Sequence, residues 1–216
     1  MLRFNDPLLM PITLETPHER LARGLPLAGS PGELYVERRS IPLAVADQAG
    51  VRFDPDWQGR PAVITPMYDL NGNLCSVHGR YLQQLGKENK MFTIGPGGGM
   101  VQVLGGIKND PIIIVEGLFD ALSLAVCGYG SLATVGRHAP WLADICAGKK
   151  VLLGFDANKP GEADVKHYQS LLKNANCYRI IPPHHCKDWN TALVKRGAAV
   201  VTFWLRNFMN NLEHRS

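Results

Sequence analysis

Apolar residues are unevenly spaced along this chain, and the spacing changes character near residue 110. Residues 111–115, Pro-Ile-Ile-Ile-Val, form a continuous β-branched run. Such a run marks a strand buried on both faces. Residues 151–155 repeat the habit, and two weaker strand patterns fall at 131–134 and 177–181. Between the strands the apolar positions recur at helical spacing. Leu118, Leu122, Ala125 and Val126 share one face, and further helices are predicted at 140–146, 162–174, 189–196 and about 198–211. Strands alternating with helices imply βαβ units, right-handed crossovers and a parallel sheet.

The first half has a different rhythm. Residues 11–24 are polar and only weakly periodic. Short helices are predicted at 33–40 and 42–49, and a strand rich in Val, Ile and Tyr at 61–68. Asn71-Gly72-Asn73 is a strong hairpin turn, which makes 74–81 the returning strand. The Gly-rich stretch 95–99 reads as a loop before a short strand at 100–104. The turn-like cluster Lys108-Asn109-Asp110-Pro111 separates the halves. The expected class is α/β: a parallel sheet of about four strands flanked by helices, preceded by a smaller α+β subdomain. The boundaries are 1–107, 108–197 and a C-terminal helix over 198–216. No internal repeat or low-complexity tract occurs.

Composition narrows the classes. With 216 residues, 45% of them apolar, the chain is long enough for one domain or two small ones, and wholesale disorder is excluded. Its 23 Lys and Arg against 19 Asp and Glu leave a net charge of +4, a mild lean toward anionic partners. No apolar stretch approaches the roughly 18 residues of a membrane span, and the first residues lack the apolar core of a secretory signal. The five cysteines are scattered without a Cys-x-x-Cys pair. A disulfide framework and a structural zinc are therefore not expected, and a reducing cytoplasm is. His184-His185-Cys186 is the one cluster resembling zinc ligands, but adjacent residues seldom converge on one ion without a second ligand pair.

The chemistry gathers at one edge of the expected sheet. In an open parallel sheet, ligands bind beyond the carboxyl ends of the strands. The first strand ends in Glu116-Gly117, the strand at 151–155 ends in Asp156-Ala157-Asn158, and Lys187-Asp188-Trp189-Asn190 follows the last strand. Asp120 lies one helical turn after Glu116. Neighbouring strands are about 4.8 Å apart, so carboxylates at their ends repel unless a cation compensates them. A hard divalent ion with oxygen ligands is the usual compensation. The expected site is therefore Mg²⁺ or Mn²⁺ held by Glu116, Asp156 and Asp188. Structural employments exist for three of the four acids. Asp120 would complement a helix dipole, Asp156 would shape a turn, and Asp188 would cap a helix. A Glu directly after four β-branched residues has no such use.

Together these residues resemble the TOPRIM domain, the catalytic core shared by bacterial-type DNA primases, topoisomerases and certain nucleases. The family pattern is a buried strand ending in Glu-Gly, an Asp a few residues on, and an Asp-x-Asp after a later buried strand. Here the matching residues run from Ile113 through Glu116-Gly117-Leu118-Phe119-Asp120, and from Leu152 through Asp156-Ala157-Asn158-Lys159-Pro160-Gly161. Lys187-Asp188-Trp189-Asn190 is similar to the third acidic motif of the primases. The resemblance covers about residues 108–197, the TOPRIM catalytic domain. In residues 1–107 the segments at 33–41, Pro66 to Gly72, Gly79-Arg80-Tyr81 and Lys90-Met91-Phe92-Thr93 resemble the subdomain that precedes it in phage and plasmid primases.

The resemblance implies a primase-like nucleotidyltransferase core that joins ribonucleotides on single-stranded DNA with Mg²⁺ or Mn²⁺ and without zinc. Glu116, Asp156 and Asp188 would hold the ion, with Asn158 as a neutral helper. Glu116 would alternatively act as general base, and Asp120 would orient the site. Arg80, Lys90, Arg137, Lys159 and Lys187 would neutralise nucleotide or template phosphates. A replicative helicase or a separate zinc-binding module would complete the machine. Two departures matter. Asn158 and Asn190 stand where the pattern has acids, which implies either one tightly held ion or a weakened polymerase. The chain also has no Cys-rich start and no G-x-x-x-x-G-K-[ST]. A phosphodiester-cleaving TOPRIM nuclease and a catalytically weakened nucleic-acid-binding module are the alternatives.

Overall fold

The computed structural model describes residues 15–84, 86, 89–136 and 139–213. The chain opens with three short helices, α1 (Pro17–Ala22), α2 (Pro31–Glu37) and α3 (Leu43–Gln48). An antiparallel sheet follows, made of β1 (Arg52–Trp57), β2 (Arg60–Tyr68), β3 (Leu74–Tyr81) and β4 (Met91–Ile94) in that order. The second half comprises β5 (Val101–Val103), β6 (Ile112–Val115), α4 (Leu118–Val126), β7 (Ser131–Ala133), α5 (Leu142–Cys146), β8 (Lys150–Leu153), α6 (Lys159–Leu171), β9 (Asn176–Arg179), α7 (Trp189–Arg196) and α8 (Ala198–Glu213). Its five strands lie in the order β5-β7-β6-β8-β9, parallel except for β5, which runs antiparallel to β7. The class is the expected one, with β5 added as an antiparallel edge to four parallel strands.

The β-branched run behaves as its composition demands. On β6, Ile113 and Val115 face a core shared with α4, α7 and α8, while Ile112 and Ile114 face α5 and α6. The alternation follows from the two-residue period of a strand, and it makes the second half a three-layer unit with the sheet between two helical layers. The first half shares the α4 side of that core. Val36 of α2, Ala46 of α3 and Val63 and Met67 of β2 join the same cluster. A Tyr68–Met100 bridge connects the two sheets directly. The opposite face of the antiparallel sheet packs Trp57, Ile64 and Val77 with Leu21 of α1. Gly79 on β3 belongs to that packing, because a Cβ there would run into the Trp57 indole.

Several elements differ from the expectation, among them β1, α1 and α6. α1 lies in the stretch read as polar. It is held by a Thr16/Glu19 capping box and by the buried Arg20, whose Nε is 3.1 Å from Asp54 Oδ2. α6 begins at Lys159, three residues before the expected start. Lys-Pro-Gly reads as a turn, but Pro in a first helical turn loses no hydrogen bond, and Asn158 caps the helix by accepting from Gly161 N–H at 2.8 Å.

Candidate active site between the two sheets

The carboxyl ends of β6 and β8 and the loop after β9 open onto a cavity of about 370 Å³. One wall comes from this parallel sheet: Glu116, Asp120, Asp156, Lys187, Asp188 and Asn190 line it. The facing wall comes from the antiparallel sheet and the turn after α2, and carries Arg39, His78, Arg80, Lys90 and Met91. An acidic rim thus looks across the cavity at a basic one. Asn158 and Lys159 stand outside the lining, at the start of α6. Arg137 lies outside the described residues.

Each acid is held differently. Asp156 is buried, and its Oδ2 is 2.9 Å from Lys187 Nζ and 3.3 Å from Asn158 Nδ2. This carboxylate holds the Lys187 ammonium above its ordinary pKa, with Asp188 and Glu116 adding to the effect. Asp188 caps α7 through a 2.6 Å hydrogen bond from Thr191 N–H, so the cap and the cavity wall are one residue. Glu116 reaches solvent at the cavity mouth. Dehydration by the walls raises its pKa most, followed by the carboxylates of Asp156 and Asp164, and Lys187 opposes them. Asp120 is buried at the cavity wall. Its Oδ1 accepts from the N–H groups of Trp189 at 3.0 Å and Asn190 at 3.2 Å. Burial first, then Asp188 and Asp156, push its pKa up to about 7.

The two amides are committed to protein partners. Asn158 Oδ1 serves the α6 cap, and its Nδ2 faces Asp156. Asn158 thus caps α6 beside Asp156 and stands outside the cavity lining. Asn190 Oδ1 accepts from Arg39 Nη1 at 3.1 Å, and its Nδ2 donates to Arg39 O at 2.9 Å and Ser123 Oγ at 3.0 Å. Asn190 thus ties α7 to the first half of the chain. Arg39 is seated further by Tyr35 Oη at 3.0 Å and lies 4.2 Å from the centre of the Phe119 ring. Trp189 anchors the same motif through a 2.8 Å bond to Gly154 O.

Three oxygen donors of one sign, with Lys187 as their adjoining cation, suit a hard divalent ion. Among the described residues no three acidic, His or Cys side chains already converge into a cage. An ion held here would take few carboxylates and complete its shell with water, as Mg²⁺ does.

The sequence reading missed Arg39 and His78. His78 is buried on β3, and its Nδ1 is 2.9 Å from Thr93 Oγ1. His-Gly-Arg at strand period places His78 on the same face as Arg80, which was the available signal. Gly161 is the other hidden determinant. A Cβ there would run into the Asp156 carbonyl oxygen and stand 2.8 Å from its carbon. We expect Gly161→Ala to move α6 off the Asp156 loop and to cost about 1–3 kcal/mol. Urea denaturation measures this, and an unchanged midpoint would show that the loop can yield.

Comparison with known proteins agrees with this geometry. Residues 113–193 match a Toprim-like family profile, and residues 15–102 match a domain of unknown function, DUF7146. No curated protein matches the chain in sequence. Among solved structures, the RNA polymerase domain of Mycobacterium tuberculosis primase DnaG superposes with a TM-score of 0.68 at 16% identity, over 89% of this chain and 82% of that one. The zinc-binding and RNA polymerase domains of Aquifex aeolicus primase give 0.65 at 18%, over 85% of this chain and 57% of that one. The chain therefore spans little more than half of that structure. A DnaG primase catalytic domain bound to single-stranded DNA gives 0.63 at 15%, over 88% and 77%. Residues 113–193 are thus similar to Toprim-like domains, they follow an antiparallel-sheet subdomain, and the fold as a whole is similar to that of bacterial primase catalytic cores.

Proposed function

We propose that this chain is the core of a primase-like nucleotidyltransferase that joins ribonucleotides on single-stranded DNA. The observation that carries the reading is the cavity itself: an acidic wall from strand ends facing a basic wall from a second sheet. Phosphoryl transfer between nucleotides needs both signs, because the triphosphate is anionic and the attacking hydroxyl must lose a proton. The DNA-bound relative adds support for the template.

Asp156, Asp188 and Glu116 are the residues that would hold Mg²⁺ or Mn²⁺. When bound, the ion would supply charge stabilisation at the transferring phosphoryl group. Glu116 would alternatively act as the general base toward a 3′-hydroxyl. Arg80 offers a planar fork to phosphate oxygens, and Lys90 and Lys187 offer point charges. Asp120, bonded to the first turn of α7, would orient the site by keeping Asp188 at the rim.

The deciding experiment is template-directed dinucleotide synthesis from ribonucleoside triphosphates with Mn²⁺. Product formation supports the primase reading. Metal-dependent strand scission without nucleotides would replace it with the nuclease. DNA binding without either reaction would indicate a silent module, a reading favoured by the protein-committed amides of Asn158 and Asn190. Replacing Arg80 by Ala is expected to weaken binding of single-stranded DNA or nucleotide, and to lower the salt slope by about one. Fluorescence anisotropy at several salt concentrations measures this, and unchanged affinity throughout would remove Arg80 from the site.

A further inference from the structure

Arg179 ends β9, beside Leu153 across the sheet. It is outside the cavity lining, and its side chain is 15% exposed. Its guanidinium lies against the carboxyl end of β8. Nη1 is 3.1 Å from Leu153 O, 2.8 Å from Phe155 O and 2.7 Å from Ile180 O. Nη2 is 3.0 Å from Asp156 O and 2.6 Å from Glu162 Oε1, and Nε is 3.0 Å from the same Glu162 oxygen. Glu162 belongs to the first turn of α6. One planar group therefore bonds the last residue of β8, the two residues that lead the chain into the cavity, and the helix that follows them.

The carbonyls of Phe155 and Asp156 lie beyond the last ladder residue of β8, where enclosed acceptors need another partner. A guanidinium supplies five donors in one rigid plane, which an ammonium cannot imitate. The other flank of Asp156 is held as well: Ala157 N–H donates to Lys187 O at 2.7 Å. The Asp156 backbone thus sits between two restraints, with its carboxylate directed to the cavity wall.

We propose that Arg179 is a positioning residue for Asp156, fixing the strand-end carboxylate in place before an ion arrives. The proposal rests on the reading of Asp156 as an ion-binding carboxylate. A residue that orients a ligand in this way typically changes metal affinity about 10- to 100-fold when removed.

The test is Mn²⁺ binding to the full chain, followed by calorimetry and by the electron paramagnetic resonance of free Mn²⁺ well below the melting temperature. Arg179→Met and Arg179→Lys are both expected to raise the Kd by about 10- to 100-fold, with Lys giving little rescue because one point charge cannot span the carbonyls. Glu162→Gln, which loosens the guanidinium from α6, should give a smaller rise. Ile64→Ala on β2 serves as a comparison that loses packing in a core holding no clamp residue. If Arg179 were only structural, variants of equal melting temperature would bind Mn²⁺ equally. Should Arg179→Met fail to fold, Arg179→Lys and Glu162→Gln carry the same comparison. Wild-type Mn²⁺ affinity in these variants, with binding lost in Asp156→Asn, would overturn the clamp alone. Wild-type affinity in Asp156→Asn would overturn the underlying reading of the site.

Discussion

Asp156→Asn and Glu116→Gln are each expected to abolish metal-dependent nucleotidyl transfer while leaving the fold intact. The expected fall in rate is about 10³-fold or more, on the order of 4 kcal/mol of transition-state stabilisation. The fold should survive because neither carboxylate fills a packed core. Asp156 Oδ2 meets Lys187 and Asn158, and an amide keeps its size. Glu116 stands at the solvent-facing mouth. A dinucleotide-synthesis assay with far-ultraviolet circular dichroism separates chemistry from folding, and Glu37→Gln on the exposed side of α2 provides a comparison away from the cavity. Wild-type turnover in either variant would falsify the site assignment.

The second large effect concerns Asp120 and pH. Its pKa rises from 3.8 to about 7 on folding, first through burial and then through Asp188 and Asp156. In the folded protein the carboxyl is therefore neutral over a range where the unfolded chain has already released its proton. Its contribution is fully present below about pH 4 and is lost as pH rises to about 7, on the order of 4 kcal/mol in all. Asp120→Asn keeps the oxygen that accepts from Trp189 and Asn190 and removes the charge. Wild-type stability should fall between about pH 4 and pH 7, and the variant should fall less and be the more stable of the two at pH 8. Glu116 titrates in the same direction in both proteins, so the difference isolates Asp120. Parallel urea-midpoint profiles for the two proteins would rule the effect out.

What was legible in the sequence was set by short-range periodicity. The Ile-Ile-Ile-Val run fixed β6 as a two-faced strand, and strand–helix alternation then brought Glu116, Asp156 and Asp188 to one sheet edge. The Asn-Gly-Asn turn placed β2 and β3 as a hairpin. β1 was hidden because Asp54 and Pro55 interrupt its alternation, and the strand bulges between Asp54 and Trp57. α1 owes its place to a cap and to Arg20 buried against Asp54, neither of which leaves an apolar stripe. The bonds of Asn190 to Arg39 join residues 151 positions apart, beyond anything local spacing reports. The same distance hid Arg39 as a lining residue, and His78 reaches the cavity because the antiparallel sheet docks across from the parallel one.

β5 precedes the turn-like cluster at 108–111 in the chain, yet its hydrogen bonds are made to β7, beyond that cluster. Met100, immediately before it, is buried in the α5–α6 side of the core. A shortened protein beginning at β6 would lose that plug and leave β7 with a bare row of amides and carbonyls, an invitation to strand addition by a neighbouring molecule. Anyone excising the C-terminal half for crystallisation or fusion should cut upstream of residue 100.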